Sequence, residues 1–293
     1  MGFLFQVYRI VVPKPIRTSI LLKQLRKKIP AYFSSFSSIQ LNADQKEVIR
    51  FVEENGVKIF PYHFTEKYDA STIEVFEDAS VGLKYVLQDG KKLYFKRRWS
   101  VARIRKSFHD LSLEQDANSP HRYLTTDFNL GEQDVLADFG AAEGNFSLAV
   151  VERVKKIYLF EADQEWIEAL NCTFAPWKEK IEIIPKFISD SNDHKNCSGD
   201  VFFHDKEISF MKIDVDGGER SLLKGFQEII RNRNSLKIAL CTYHQHNDEN
   251  EFTALLESAG FEVTPSKGYM IFYYDKKLKE PYLRRALIRG VKK

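Results

Sequence analysis

Cysteine is scarce in this chain. Cys172, Cys197 and Cys241 are the three among 293 residues. Their number is odd and their spacing suits neither a structural metal site nor a disulfide framework, so a reducing, cytoplasmic setting is the expectation. No apolar run is long enough to span a bilayer. The apolar start is broken by Tyr8 and Arg9 without a small-residue cleavage site after it, which does not read as a signal peptide. Internal repeats and low-complexity segments are lacking. So is the G-x-G-x-x-G turn with which dinucleotide folds cradle a pyrophosphate, an absence that weighs against a nucleotide-sugar dehydrogenase or epimerase.

Charge is present but unevenly spread. Of a net +3, residues 1–43 supply +7 without one acid, and residues 276–293 supply +7 from eight basic residues and Glu280; the remainder is −11. An acidic body argues against a nucleic-acid substrate, which needs a basic face around the site. Ile16, Ile20, Leu21, Leu25 and Ile29 recur at helical spacing with basic residues between them. That pattern fits a helix on an anionic membrane or on a partner, and equally a helix packed on the protein's own body.

The expected organisation is a basic N-terminal helix and serine-bearing linker over 1–43, an α+β cap over 44–130, a main domain over 131–275 and a basic tail over 276–293. In the cap, two strand-like runs flank Asp89-Gly90, a strong hairpin signal. From 134 onward strands and helices alternate, predicting an α/β fold with a Rossmann-like sheet. Strands are expected near 134–139, 156–161, 180–185, 208–214 and 236–242, with a last antiparallel pair near 261–264 and 269–274.

The stretch Val135-Leu136-Ala137-Asp138-Phe139-Gly140-Ala141-Ala142-Glu143-Gly144-Asn145 is an apolar strand, a glycine turn and a helix start. A second strand ends in Glu161, placed to take both hydroxyls of a ribose. The turn reads D-x-G-x-x-x-G, and Asp138 and Glu143 bring negative charge to it. Such a turn suits S-adenosylmethionine, which has no phosphate and carries a sulfonium and an ammonium. Asp138, Glu161, Asp214 and the Thr242-Tyr243-His244 run all fall at carboxyl ends of expected strands, where open α/β sheets bind ligands.

These stretches, with Ser189-Asp190, Lys212-Ile213-Asp214-Val215-Asp216-Gly217-Gly218-Glu219 and Tyr243-His244, resemble the FkbM family of S-adenosylmethionine-dependent methyltransferases in residue type and order. The front section, with Glu114-Gln115-Asp116 and Ser119 to Tyr123, is similar to bacterial members found beside surface-glycan genes. The chain departs from the family pattern at Asp216, usually Glu, and at Gly218, usually Ala. The resemblance implies methylation of an oxygen, with a sugar hydroxyl of a surface polysaccharide or its precursor as the acceptor; a small molecule or a protein is the alternative, as is an inactive cofactor-binding scaffold.

On this reading the turn residues Asp138, Gly140, Ala142 and Gly144 meet the methionine part of the cofactor, and Asp138 receives its ammonium. Glu161 holds the ribose, Asp190 reads the adenine, and Glu114, His121 and Tyr123 line the facing side. Asp214 orients the acceptor or binds a metal, and His244 is the general base. Glu219 is a helix-dipole partner. His246 completes a His-x-His pair, weak evidence for a metal; were one present, the carboxylates point to Mg²⁺ more than Zn²⁺. The Lys96-Arg97-Arg98-Trp99 cluster is a candidate contact for an anionic glycan or a diphosphate.

Overall fold

A computed structural model describes residues 13–35 and 41–293. The apolar start and Ser37 and Ser38 of the expected linker lie outside the described residues. Helix α1 (Lys14–Ser34) runs on through Pro30 and packs on α2 (Ala43–Asn55). A capping box starts α2: the Asn42 side chain accepts from Gln45 N–H, and the Gln45 side chain accepts from Asn42 N–H. Strands β1 (Phe76–Asp78), β2 (Leu83–Gln88) and β3 (Lys91–Tyr94) form a small antiparallel sheet, followed by α3 (Val101–Glu114). Asp89 and Gly90 both have positive φ, 49° and 76°, giving the two-residue turn that matches strand twist.

The main body then follows in chain order. It comprises β4 (Val135–Phe139), α4 (Asn145–Val150), β5 (Lys156–Phe160), α5 (Gln164–Phe174), β6 (Ile181–Ile184), the short pair β7 (Phe187–Ser189) and β8 (Asn196–Ser198), and α6 (Gly199–Phe202). After these come β9 (Phe210–Ile213), α7 (Glu219–Lys224), α8 (Gln227–Asn232), β10 (Leu236–Cys241), α9 (Asp248–Ser258), β11 (Glu262–Pro265) and β12 (Leu287–Lys292). Seven of the strands form one sheet in the order β11-β12-β10-β9-β4-β5-β6, with β12 antiparallel to both neighbours. That order is the Rossmann-like α/β sheet that the alternation predicted.

All five residues of β4 are buried, as a central parallel strand requires. Successive residues divide between two apolar clusters. Leu136, Ile157, Leu159, Phe210, Ala239 and Leu287 pack on one face with Phe95 and Ile104 of the front section. Ala137, Phe139, Tyr158, Met211, Ile238 and Ile288 pack on the other. The strand order reverses at β4, so a crevice opens beyond the carboxyl ends of β4 and β9, where this architecture places its ligands.

Two expectations need correction here. Residues 269–274 do not pair with β11. Their backbone donors go elsewhere, Tyr269 N–H to the Tyr62 hydroxyl and Ile271 N–H to the Ile59 carbonyl, so the excursion is sewn to the front section. The segment read as a basic tail instead supplies β12, and four of its cations are internal braces. Arg289 donates to the Arg122 and Tyr123 carbonyls, Lys292 to those of Ile230 and Arg231, Arg284 to those of Tyr243 and His244, and Arg285 pairs with Asp44. Burying such side chains is tolerable because carbonyls and carboxylates satisfy them.

Helix α1 buries Leu25, Ile29 and Phe33 against the body while Ile16, Ile20 and Leu21 stay exposed. Among the described residues no helix is long and apolar enough to cross a membrane.

Candidate cofactor and acceptor site

Gly140 leaves β4 at φ +72°, and a Cβ there would sit 2.0 Å from the Asp214 backbone oxygen. Only glycine lets the first turn and the end of β9 touch. Gly144 also has positive φ, and its missing Cβ leaves room for Leu170 and Phe174. Between them Ala142 holds a left-handed conformation, φ 46°, and donates its N–H to Glu161 Oε2 over 3.0 Å. The other Glu161 oxygen accepts from Asp163 N–H at 2.8 Å. Two backbone donors thus fix this carboxylate at the end of β5, and each oxygen keeps a lone pair for a ligand hydroxyl.

The turn opens on a cavity of about 720 Å³. Of the residues assigned to the site from the sequence, Gly140, Ala142, Glu161, Glu114, Tyr123 and Asp214 line it, and Gly144 does not. Its wall is acidic: Asp110, Glu114, Glu143, Glu161, Asp163, Asp214 and Asp216 face Lys186 and Lys212. Glu114 has no hydrogen-bond partner among the described residues, and burial, with the nearby Asp214 and Glu143 charges, pushes its pKa up to about 8. Burial also raises Glu143, against the Ser107 hydroxyl that donates to it.

Asp214 is the hub of the far side. Tyr123 donates to its Oδ2 at 2.9 Å and Tyr243 to its Oδ1 at 3.3 Å. Burial works against its charge, but the Lys212 and His244 cations and the Tyr123 hydroxyl are among the groups that outweigh burial and lower its pKa. His121 lies edge-on between Tyr123 and Tyr243, and burial drives it down to about 4, leaving it neutral.

Three site assignments change. Asp138 is 1% exposed and absent from the cavity wall; its carboxylate pairs with Lys212 Nζ at 2.9 Å and accepts from Ser147 at 2.7 Å, so it has no capacity aimed at a ligand ammonium. Asp190 is exposed, and its carboxylate accepts from Ser221 at 2.7 Å, while Ser189 and Ser221 are the ones that reach the cavity. His244, expected as the general base, does not line the cavity. Burial works against its charge, but Asp216, Glu219 and Asp214 outweigh burial and raise it to about 10, so it already carries its proton at neutral pH.

Glu219 is fully buried and accepts from Val215 and Gly217 N–H, more than a dipole partner. His246 joins no metal-competent group among the described residues. The Lys96, Arg97 and Arg98 cations pair with Asp163, Glu168 and Glu165 of the α5 segment.

Lys212 was not singled out from the sequence. It lines the cavity, pairs with Asp138 and donates to the Gly140 carbonyl at 2.8 Å, tying β4, its turn and β9 together. The available signal was a lysine inside the otherwise apolar run Phe210-Met211-Lys212-Ile213.

No family model matches the chain, and no curated protein does. Among solved structures it is similar to the methyltransferase FkbM from Methylobacillus flagellatus KT, at 15% identity over 65% of this chain and 54% of that one, with a TM-score of 0.45. It thus spans about half the length of that protein. It is similar also to precorrin-6y C5,15-methyltransferase from Geobacter metallireducens GS-15, at 12% identity over 56% of this chain and 83% of that one, TM-score 0.40. An rRNA methylase from Streptococcus thermophilus matches at 16% identity over 56% of this chain and 89% of that one, TM-score 0.36. Likenesses this low carry no argument about chemistry, which rests on the site itself.

Proposed function

We propose that the chain binds S-adenosylmethionine and transfers its methyl group to a hydroxyl oxygen, in the manner of the FkbM family, with a sugar of a surface polysaccharide or its precursor as acceptor. The observation that carries this reading is Glu161, held by two backbone donors at the rim of an acid-lined cavity whose other edge is the Gly140 turn. A carboxylate so fixed suits the paired hydroxyls of a ribose. Even with Glu114 protonated, the acids of the wall outnumber its two lysines, which favours a ligand bearing a sulfonium and an ammonium and disfavours a polyanionic acceptor such as nucleic acid. Tyr123, Tyr243 and Trp166 add aromatic side chains to the wall, a residue type that suits a cationic ligand.

Transfer from sulfur to oxygen is an in-line displacement, and holding donor and acceptor collinear is worth roughly 7–11 kcal/mol. Asp214, locked by two tyrosine hydroxyls, is the group placed to orient the acceptor hydroxyl. A neutral polyhydroxyl acceptor suits a wall that repels anions.

Turnover of cofactor to S-adenosylhomocysteine in the presence of soluble and lipid-linked oligosaccharides tests the reading. Asp214→Asn is expected to abolish it; methylation of amines or carboxylates with no hydroxyl acceptor accepted would move the assignment. The exposed Ile16, Ile20 and Leu21, beside Lys14 and Lys23, support a peripheral contact with an anionic membrane as part of the same proposal. Sedimentation with anionic liposomes at low and high salt tests it, and no binding at low salt would discard it.

A further inference from the structure

We propose that Glu114 takes the proton from the acceptor hydroxyl, and that the entry of a cationic cofactor into the cavity is what frees its carboxylate to do so. The inference rests on the methyl-transfer reading above. It starts from how the acids of the cavity wall are bonded. Glu161 accepts from two backbone N–H groups, Asp214 from two tyrosine hydroxyls and Glu143 from the Ser107 hydroxyl. Asp110 pairs with Lys106 and Asp163 with Lys96, and Asp216 lies 3.7 Å from His244 Nε2. Among the described residues, Glu114 is the one acid of the wall with neither a hydrogen bond nor an ion pair. Its lone pairs are uncommitted and it faces the cavity.

The position of Glu114 explains why it stays protonated in the empty cavity. It is the last residue of α3, a 14-residue helix whose dipole presents its negative end there and disfavours a further negative charge. Asp110 one turn earlier on α3, Glu143 of the glycine turn and Asp214 at the end of β9 add like charge, and Lys212 opposes them. Glu114 also acts on the Tyr123 and Tyr243 hydroxyls that grip Asp214, which puts it on the acceptor side of the cavity. A cation brought within about 4–6 Å lowers a carboxyl pKa by about 1–3 and so reverses the balance.

S-adenosylmethionine supplies a methyl group on a positively charged sulfur. On transfer the carbon–sulfur bond breaks with its electron pair left on sulfur, and the acceptor oxygen forms the new carbon–oxygen bond. The hydroxyl proton passes to the Glu114 carboxylate. One positive charge at sulfur and one negative charge at Glu114 disappear together, so neither is left uncompensated in the cavity. Asp214 is the poorer base, because its neighbours lower its pKa and two hydroxyls already donate to it. A base works best with a pKa near the working pH.

Calorimetric titration of the chain with S-adenosylmethionine at neutral pH, in phosphate and in Tris, reads proton release from the difference between the two heats. A carboxyl at about 8 lowered by about 1–3 should release about 0.4–0.9 of a proton per chain. S-adenosylhomocysteine, whose sulfur is uncharged, should release much less. Glu114→Gln has the shape of the protonated acid and should still bind the cofactor, but without proton release. Its turnover with the oligosaccharide acceptors should fall by about 10²–10⁴-fold, and the residual rate should lack the acid limb of the wild-type pH profile. Equal heats in the two buffers for the wild type overturn the proposal, and that arm needs no variant. Undiminished proton release or wild-type turnover in Glu114→Gln overturns it as well. Cofactor bound without proton release sinks this assignment and leaves the methyl-transfer reading standing; no cofactor bound to the folded chain sinks both.

Discussion

Lys212→Met removes a single charge from the centre of the molecule and leaves the apolar stem in place. Lys212 is 5% exposed and Asp138 1% exposed, so the carboxylate left behind can reach neither water nor another cation. Breaking a buried pair by removing one partner costs about 3–5 kcal/mol, because the survivor stays charged without compensation. The Gly140 carbonyl also loses the donor that ties the turn to β9. Against a typical total of about 5–15 kcal/mol, that is a large share of the stability. With a urea m-value of about 2–3 kcal/mol/M, the unfolding midpoint should fall by roughly 1–2 M with m unchanged. Cofactor affinity should fall with it, since the turn is no longer pinned. Adding Asp138→Leu should recover much of the stability, because an apolar pair has no charge to strand. A loss under about 1 kcal/mol in Lys212→Met, or a second loss on adding Asp138→Leu, would refute the view that this pair holds the site together.

Other substitutions probe the neighbouring groups. Gly140→Ala sets a Cβ 2.0 Å from the Asp214 carbonyl oxygen in a left-handed conformation, a strain of about 1–2 kcal/mol before any backbone shift; lower thermal stability and lost cofactor binding are expected, and a wild-type melting curve would contradict the close approach. Glu114 keeps its proton in the folded chain up to about pH 8 but releases it near 4.5 when unfolded. The folded state therefore binds more protons across that window, and wild-type stability should decline as pH rises through it. Glu114→Gln should flatten that decline in urea unfolding between these limits, whereas an unchanged or steeper slope would show that Glu114 is already ionised.

Much of the fold was legible because its signals are local. The apolar run at β4 buries all five residues, the Asp89-Gly90 turn makes its hairpin, and the glycine spacing around Gly140 reflects a backbone contact that no other residue permits. Glu161 was readable because the end of β5 fixes its place. The misreadings share one cause, a partner distant in sequence. Arg289 and Lys292 looked like a solvated tail, yet they brace carbonyls at 122–123 and 230–231 from within the sheet. Asp138 is silenced by Lys212, and His244 is recast by Asp214, Asp216 and Glu219. The type of a side chain does not reveal its charge state until its neighbours are known.

The most direct test of cofactor binding is calorimetric titration of the folded chain with S-adenosylmethionine and S-adenosylhomocysteine, beside Glu161→Ala. Micromolar binding of both to the wild type, lost in Glu161→Ala while its far-UV and thermal signatures persist, is the predicted result. No binding to a demonstrably folded wild type, or equal binding by Glu161→Ala, would contradict the claim that this cavity holds the methyl donor by its ribose.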